Sequence, residues 1–278
     1  MRRISVSLLA ALTVIVCVCA CGDKRFKGYE KSETGMYFKF KERNPEGKIP
    51  QMGDFLYLTV SYYSDNDSIQ KLETREMVGV LDEPLFKGDI YEAYAMLKQG
   101  EEAEFVIKAD SFFFYYMGGN MGRPIPSYIT EKDVLFFTIK MDNIKTIDDF
   151  AREEEEAIAD YITENEITVK PLPSGLYYIQ TEKGKGKKVE QNSKVSVHYT
   201  GKFLDGTLFD SSIQRGEPIT FTVGLDPMIQ GFTEGVTYMN KGGKAIFILP
   251  SDIAYGDGGG RFPPFKTLMF EVEIIEVE

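Results

Sequence analysis

The sequence predicts an α+β protein: two tandem domains, each an antiparallel sheet curled over a short helix, with a helical linker between them. Three observations carry this expectation. Segments of the first half return in the same order in the second, at a spacing of roughly 140 residues, the mark of an internal repeat. Runs within each copy alternate apolar and polar residues with period two, the pattern of a sheet with one buried face. Between the copies, one stretch changes to helical spacing.

The N-terminus stands apart. Arg2 and Arg3 precede an apolar run from Ile4 to Val18 that is too short for a transmembrane helix, the order of a signal peptide. Val18-Cys19-Ala20-Cys21 resembles the bacterial lipobox. That resemblance implies cleavage before Cys21, acyl chains on Cys21 and a membrane anchor, and Gly22 after it points to the outer membrane of a cell envelope. The alternative is an ordinary secretory signal with an incidental cysteine. Cleavage after residue 20 would leave 258 residues and, by removing Arg2 and Arg3, take the net charge from −11 to −13. It would also leave no cysteine for a disulfide or a thiol nucleophile. The expected plan is a signal peptide over 1–20, a first domain over 21–145, a linker over 146–173 and a second domain over 174–278.

Composition narrows the chemistry. Asp and Glu number 43 against 32 Lys and Arg, so the chain is a poor candidate for wrapping nucleic acid, because basic residues must replace condensed counterions there. One histidine excludes zinc sites that need two or more, and the three cysteines all stand within residues 17–21, where the expected cleavage removes two of them, so no zinc site built from several Cys and His is expected. Neither metal nor cofactor is expected.

The repeat can be followed segment by segment. Thr34-Gly-Met-Tyr-Phe-Lys-Phe returns as Ser174-Gly-Leu-Tyr-Tyr-Ile-Gln, and Phe55-Leu-Tyr-Leu-Thr-Val-Ser-Tyr as Lys194-Val-Ser-Val-His-Tyr-Thr-Gly. Val78-Gly-Val-Leu-Asp and Lys98-Gln-Gly-Glu-Glu-Ala-Glu-Phe-Val-Ile have counterparts at Val223 and Lys241, and the closing runs at Val134 and Thr267 match. Residues 146–165 read as a helix: Thr146 and Asp149 form a capping-box start, and Ile147, Phe150, Ile158 and Tyr161 share a face. The acidic run Glu153 to Glu156 reads as its solvated side. Pro171 and Pro173 end the linker. In the second copy Val195, Val197 and Tyr199 alternate with Ser196 and His198, and Leu268, Phe270, Val272 and Ile274 alternate with Met269, Glu271 and Glu273. Residues 229–238 are the short helix of that copy.

Val197-His-Tyr-Thr-Gly-Lys-Phe-Leu-Asp-Gly-Thr-Leu-Phe-Asp-Ser-Ser212 resembles the core signature of the FKBP-type peptidyl-prolyl isomerases. So do Met228-Ile-Gln-Gly-Phe-Thr-Glu-Gly-Val236, Ala254-Tyr-Gly256 and Thr267-Leu-Met-Phe-Glu-Val-Glu273. The resemblance covers about residues 174–278 and implies a prolyl isomerase acting on proline-containing, unfolded or partly folded envelope proteins. It places Tyr199, Phe209, Met228, Ile229, Phe232 and Phe270 around a proline pocket. Phe232 takes a floor position where many members carry Trp. Phe221 falls at a further aromatic wall position, and Phe262 on a loop over the pocket. Tyr255 matches a tyrosine whose hydroxyl holds a substrate carbonyl. Asp210 matches a carboxylate beside the twisting amide, paired with Tyr199 or Arg215. Asp210 and Tyr255 are thus the implied catalytic pair. His198 alternates away from the face of Tyr199 and reads as structural. The loop Gly256-Asp-Gly-Gly-Gly-Arg-Phe262 departs from the family in being glycine-heavy and short, and it lacks the strand and helix context of a phosphate cradle. The alternative is a non-catalytic envelope chaperone or scaffold.

The same register leaves the first copy without this chemistry. Tyr199 falls on Val60 and Tyr255 on Phe113, while Phe209-Asp210 has only Leu72-Glu73 nearby. The first copy therefore reads as a degenerate FKBP-like domain. Its segment 112–126 opens with five consecutive aromatics in what reads as a strand or loop, which predicts exposed rings that bind unfolded clients or form a homodimer, or else rings buried against the linker helix or the other domain.

Overall fold

The computed structural model describes residues 24–258 and 262–278, so the expected signal peptide and Cys21 lie outside the described residues. The chain divides into two units, Met1–Ile147 and Asp148–Glu278.

In the first unit, β1 (Glu30–Lys31), β2 (Tyr37–Glu42), β3 (Phe55–Ser64), β4 (Leu72–Val80), β5 (Glu102–Lys108) and β6 (Val134–Lys145) form one antiparallel sheet in the order β1-β2-β5-β6-β3-β4. Alternate residues of β3 and β6, among them Leu56, Leu58, Leu135, Phe137 and Ile139, face one core. Helix α1 (Ile90–Ala95) packs Ile90, Ala93 and Tyr94 into it, capped by Asp89, whose carboxylate accepts from Tyr91 N at 2.8 Å.

The aromatic segment is a helix, α2 (Ala109–Tyr116), where a strand or loop was expected. Helical spacing turns Phe112, Phe113 and Tyr116 onto the unit's own core, and the Tyr116 hydroxyl donates to the buried Asp89 carboxylate. Phe114, on the other side, is exposed. Most of the rings thus have a partner within their own unit.

In the second unit, β7 (Tyr177–Glu182), β8 (Lys194–Phe203), β9 (Leu208–Ser211), β10 (Ile219–Thr222), β11 (Lys244–Leu249) and β12 (Leu268–Val277) form a sheet in the order β10-β8-β12-β11-β7, with β9 on β8. Read in reverse, this is the order β2-β5-β6-β3-β4 of the first sheet. Val60 faces Ile139 across β3 and β6 as Tyr199 faces Val272 across β8 and β12. Helix α5 (Gln230–Thr237) lies on the inner face with Phe232 and Val236 buried. Gly235 permits this approach, because a Cβ there would stand 2.6 Å from the Phe247 ring. A short α4 (Ser212–Arg215), unforeseen in the sequence, follows β9.

Helix α3 (Ile147–Glu164) belongs with this second unit from Asp148 onward. Phe150 and Ile158 are buried. Glu153, Glu155 and Glu156 are exposed as expected of a solvated acidic run, but Glu154 is half-buried and bonds within the unit. The reason is geometric: Phe150, Glu154, Ile158 and Tyr161 stand one turn apart on one helix face.

Candidate active site

A cavity of about 770 Å³ opens on the second unit between β8, β9, the start of α5 and the loop from β11 to β12. Phe232, 1% exposed, forms its floor. Its ring meets those of Phe270 at 5.3 Å and Tyr199 at 5.8 Å edge to face, the arrangement that ring quadrupoles favour. Phe209 forms a side wall, edge-on to Phe270 at 5.6 Å and to Phe262 at 5.3 Å. Gly201 leaves room for this wall: a Cβ there would fall 2.6 Å from the Phe209 ring. Met228 and Ile229 line the cavity where α5 begins, beside helix-start amides that have no intrahelical acceptor.

The polar groups sit at the rim. Asp210 accepts from the Tyr199 hydroxyl through one oxygen and pairs with Arg215 through the other. Arg215 Nη2 also donates to the Tyr199 hydroxyl at 3.0 Å. Burial acts to raise the Asp210 carboxyl, but the hydrogen bonds from Tyr199 and Arg215 and the charge of Arg215 outweigh it, so its pKa lies below the ordinary value. Burial, then the bond to Asp210, push Tyr199 up, so it remains a neutral phenol. Tyr255 is 42% exposed, and its ring stacks on Phe262 at 4.3 Å. Among the described residues no group bonds its hydroxyl, which is free to donate at the cavity mouth.

Nine of the sequence-derived positions therefore line one cavity: Tyr199, Phe209, Asp210, Met228, Ile229, Phe232, Tyr255, Phe262 and Phe270. Two do not. Arg215 stands behind Asp210 and reaches the site only through it and Tyr199. Phe221 is buried core, its ring 6.1 Å from that of Phe232 and outside the cavity wall. His198 turns away, its Nδ1 3.0 Å from Ser212 Oγ. Sequence reasoning missed Phe203, Pro227, Gln230, Ala254 and Pro263 in the wall. Phe203 had a signal, since residues 199, 201 and 203 fall on one face of β8.

Comparison with known proteins agrees with this geometry. The model of the FKBP-type peptidyl-prolyl cis-trans isomerase family matches residues 185–275. An FK506-binding protein of Neisseria meningitidis is 42% identical over 105 residues, 37% of this chain and 96% of that protein. The chain belongs to the FKBP-type peptidyl-prolyl cis-trans isomerase family. FKBP-type isomerases matched over less of their length include FkpA of Aeromonas hydrophila, 48% identical over 111 residues, 40% of this chain and 41% of that protein. The 22 kDa FKBP-type isomerase of Escherichia coli is 43% identical over 111 residues, 39% of this chain and 53% of that one. This chain thus spans about half the length of such relatives. The FKBP match contains the whole cavity and excludes both the first unit and α3.

Proposed function

We propose that the second unit catalyses cis-trans isomerisation of X–Pro bonds in unfolded or partly folded envelope proteins, without covalent chemistry. Rotation about the bond faces a barrier of roughly 18–20 kcal/mol set by amide resonance. The twisted amide has lost that resonance and much of its charge separation. Aromatic walls that displace water from a bound amide disfavour the planar, more polar form and so favour the twisted one. The single observation that carries the reading is the cavity lined by the rings of Tyr199, Phe209, Phe232 and Phe270, with the Tyr255 hydroxyl, unbonded among the described residues, at its mouth. In this reading Tyr255 donates to a substrate carbonyl. Asp210, held ionised, presents negative charge beside the rotating amide and fixes Tyr199.

The setting proposed with this activity rests on the lipobox resemblance and on the internal repeat. Cys21 carries a lipid anchor that holds the chain at the envelope membrane, and the first unit is a degenerate copy that binds clients or a second chain without catalysis. The shared strand order supports the copy, and Val60 and Phe113 in place of the two tyrosine positions support the loss of chemistry.

A protease-coupled assay on X–Pro tetrapeptides with the full chain tests the proposal. Catalysis above the thermal rate is expected. Tyr255→Phe should lower kcat/KM roughly tenfold, the worth of one hydrogen bond of about 1.4 kcal/mol. Asp210→Ala should lower it as well. A full chain that leaves the thermal rate unchanged, yet suppresses aggregation of an unfolded protein, would replace this reading with one of binding alone.

A further inference from the structure

We infer that Glu154, on a helix outside the family match, is a positioning residue that holds Tyr255 in place by clamping both ends of the loop that carries it. The inference rests on the isomerase reading for its functional consequence and on geometry for the clamp itself.

The loop between β11 and β12 supplies Ala254, Tyr255, Phe262 and Pro263 to the cavity. It is rich in glycine, and glycine loses more conformational freedom on ordering than any other residue. Such a loop holds a rim hydroxyl in register only if its ends are fixed. Both ends meet one carboxylate. Glu154 Oε1 accepts from Ser251 N at 2.8 Å and from Thr267 Oγ1 at 2.7 Å, and Oε2 accepts from Ser251 Oγ at 2.7 Å. Ser251 and Thr267 are themselves buried, so water does not readily replace these bonds.

The contacts close into a circuit around Tyr255. The Ser251 carbonyl accepts from Ala254 N and Gly256 N, on either side of Tyr255. The Gly256 carbonyl accepts from Phe265 N at 2.7 Å. Phe265 sits in the left-handed region at φ 53°, which a residue with a side chain adopts only when its surroundings impose it. Its ring stacks at 4.8 Å on Phe150, one turn before Glu154 on the same helix face. Helix α3 thus holds the loop by a carboxylate and by a ring. The sequence Phe150, Glu154, Ile158, Tyr161 is one docking stripe whose single charged member has a dedicated set of donors.

The test uses the full chain and two readouts, amide hydrogen exchange and kcat/KM on X–Pro tetrapeptides. In Glu154→Ala the amides of Gly256 and Phe265 should exchange faster while those of β8 do not change. Its kcat/KM should fall roughly tenfold, since displacement of a site group by about 1 Å costs up to a hundredfold. Glu154→Gln should recover most of both, because its amide can accept from Ser251 N and Thr267 and donate to Ser251 Oγ. Glu155→Ala, exposed on the same helix, should match wild type. Thr267→Val removes one donor at nearly constant shape and should shift both readouts the same way by a smaller factor, which covers the case of an unfolded Glu154→Ala. Unchanged exchange at Gly256 and Phe265, or Glu154→Gln behaving like Glu154→Ala, overturns the clamp. A wild-type chain without catalysis overturns the isomerase reading instead, and the exchange pattern then decides the clamp by itself.

Discussion

Gly201→Ala should damage the cavity through a single methyl group. An added Cβ would stand 2.6 Å from the Phe209 ring and 3.1 Å from that of Phe270, where ordinary contact begins at 3.4 Å. The Phe209 ring must retreat by about 0.8 Å, and its other neighbours, Phe203, Phe262 and Phe270, already touch it. Overpacking of this kind costs about 1–3 kcal/mol. For a unit of this size that is a loss of roughly 3–15 °C in Tm. Because the displaced ring is a cavity wall, kcat/KM should fall by one to two orders of magnitude. Gly242→Ala provides the comparison. Gly242 has φ 78°, and a Cβ added there would meet nothing within 4 Å, so alanine brings backbone strain of about 1–2 kcal/mol and no clash. It lies away from the cavity wall, so Tm should fall with kcat/KM unchanged. Phe209→Leu added to Gly201→Ala should restore part of the lost stability. Thermal unfolding and the coupled assay on the same samples decide the matter. Equal losses of activity in the two glycine variants, or none in Gly201→Ala, would refute the reasoning.

Other outcomes follow from the same geometry. Phe232→Ala removes the cavity floor and should destabilise the second unit by about 3–5 kcal/mol, read by denaturant unfolding. Tyr116→Phe takes a hydroxyl donor from the fully buried Asp89 and should cost about 1–3 kcal/mol in the first unit while leaving kcat/KM unchanged. Because the folded pKa of Asp210 is depressed, its contribution to stability is present above the unfolded carboxylate value near 4 and is lost as pH falls through the folded value. Its ionisation should accordingly leave kcat/KM flat from about pH 5 to 8, and a sigmoid fall within that range would count against it.

Much of this was legible in the sequence, and what was not has identifiable physical causes. Period-two alternation in 195–199 and 268–274 carried the strands, and ordered self-similarity carried the two units. The cavity residues could be placed because the resemblance fixed their positions, not because spacing alone brings Asp210, Ile229 and Tyr255 together. Phe221 lies in the core outside the cavity lining, and an aromatic in a strand reads the same whether it faces a cavity or only the core beneath it. Phe203 was overlooked although its parity with Tyr199 was visible. The aromatic segment 112–116 was misread because consecutive rings carry no period, and only the helix separates Phe112, Phe113 and Tyr116 from Phe114. Glu154 was hidden by its acidic neighbours. Its spacing from Phe150 and Ile158 marked it, but a charge in a docking stripe declares its purpose only once Ser251 and Thr267 are brought beside it.

The central claim, isomerisation in an aromatic cavity without bond breaking, is tested most directly by exchange NMR on a proline peptide with a substoichiometric amount of the full chain, in light and heavy water. Exchange between cis and trans peptide signals should become fast where the free peptide takes tens of seconds or more, with rates in the two solvents nearly equal because no proton moves in the rate-limiting step. Exchange no faster than in the free peptide would contradict catalysis, and a large solvent isotope effect would contradict the non-covalent route.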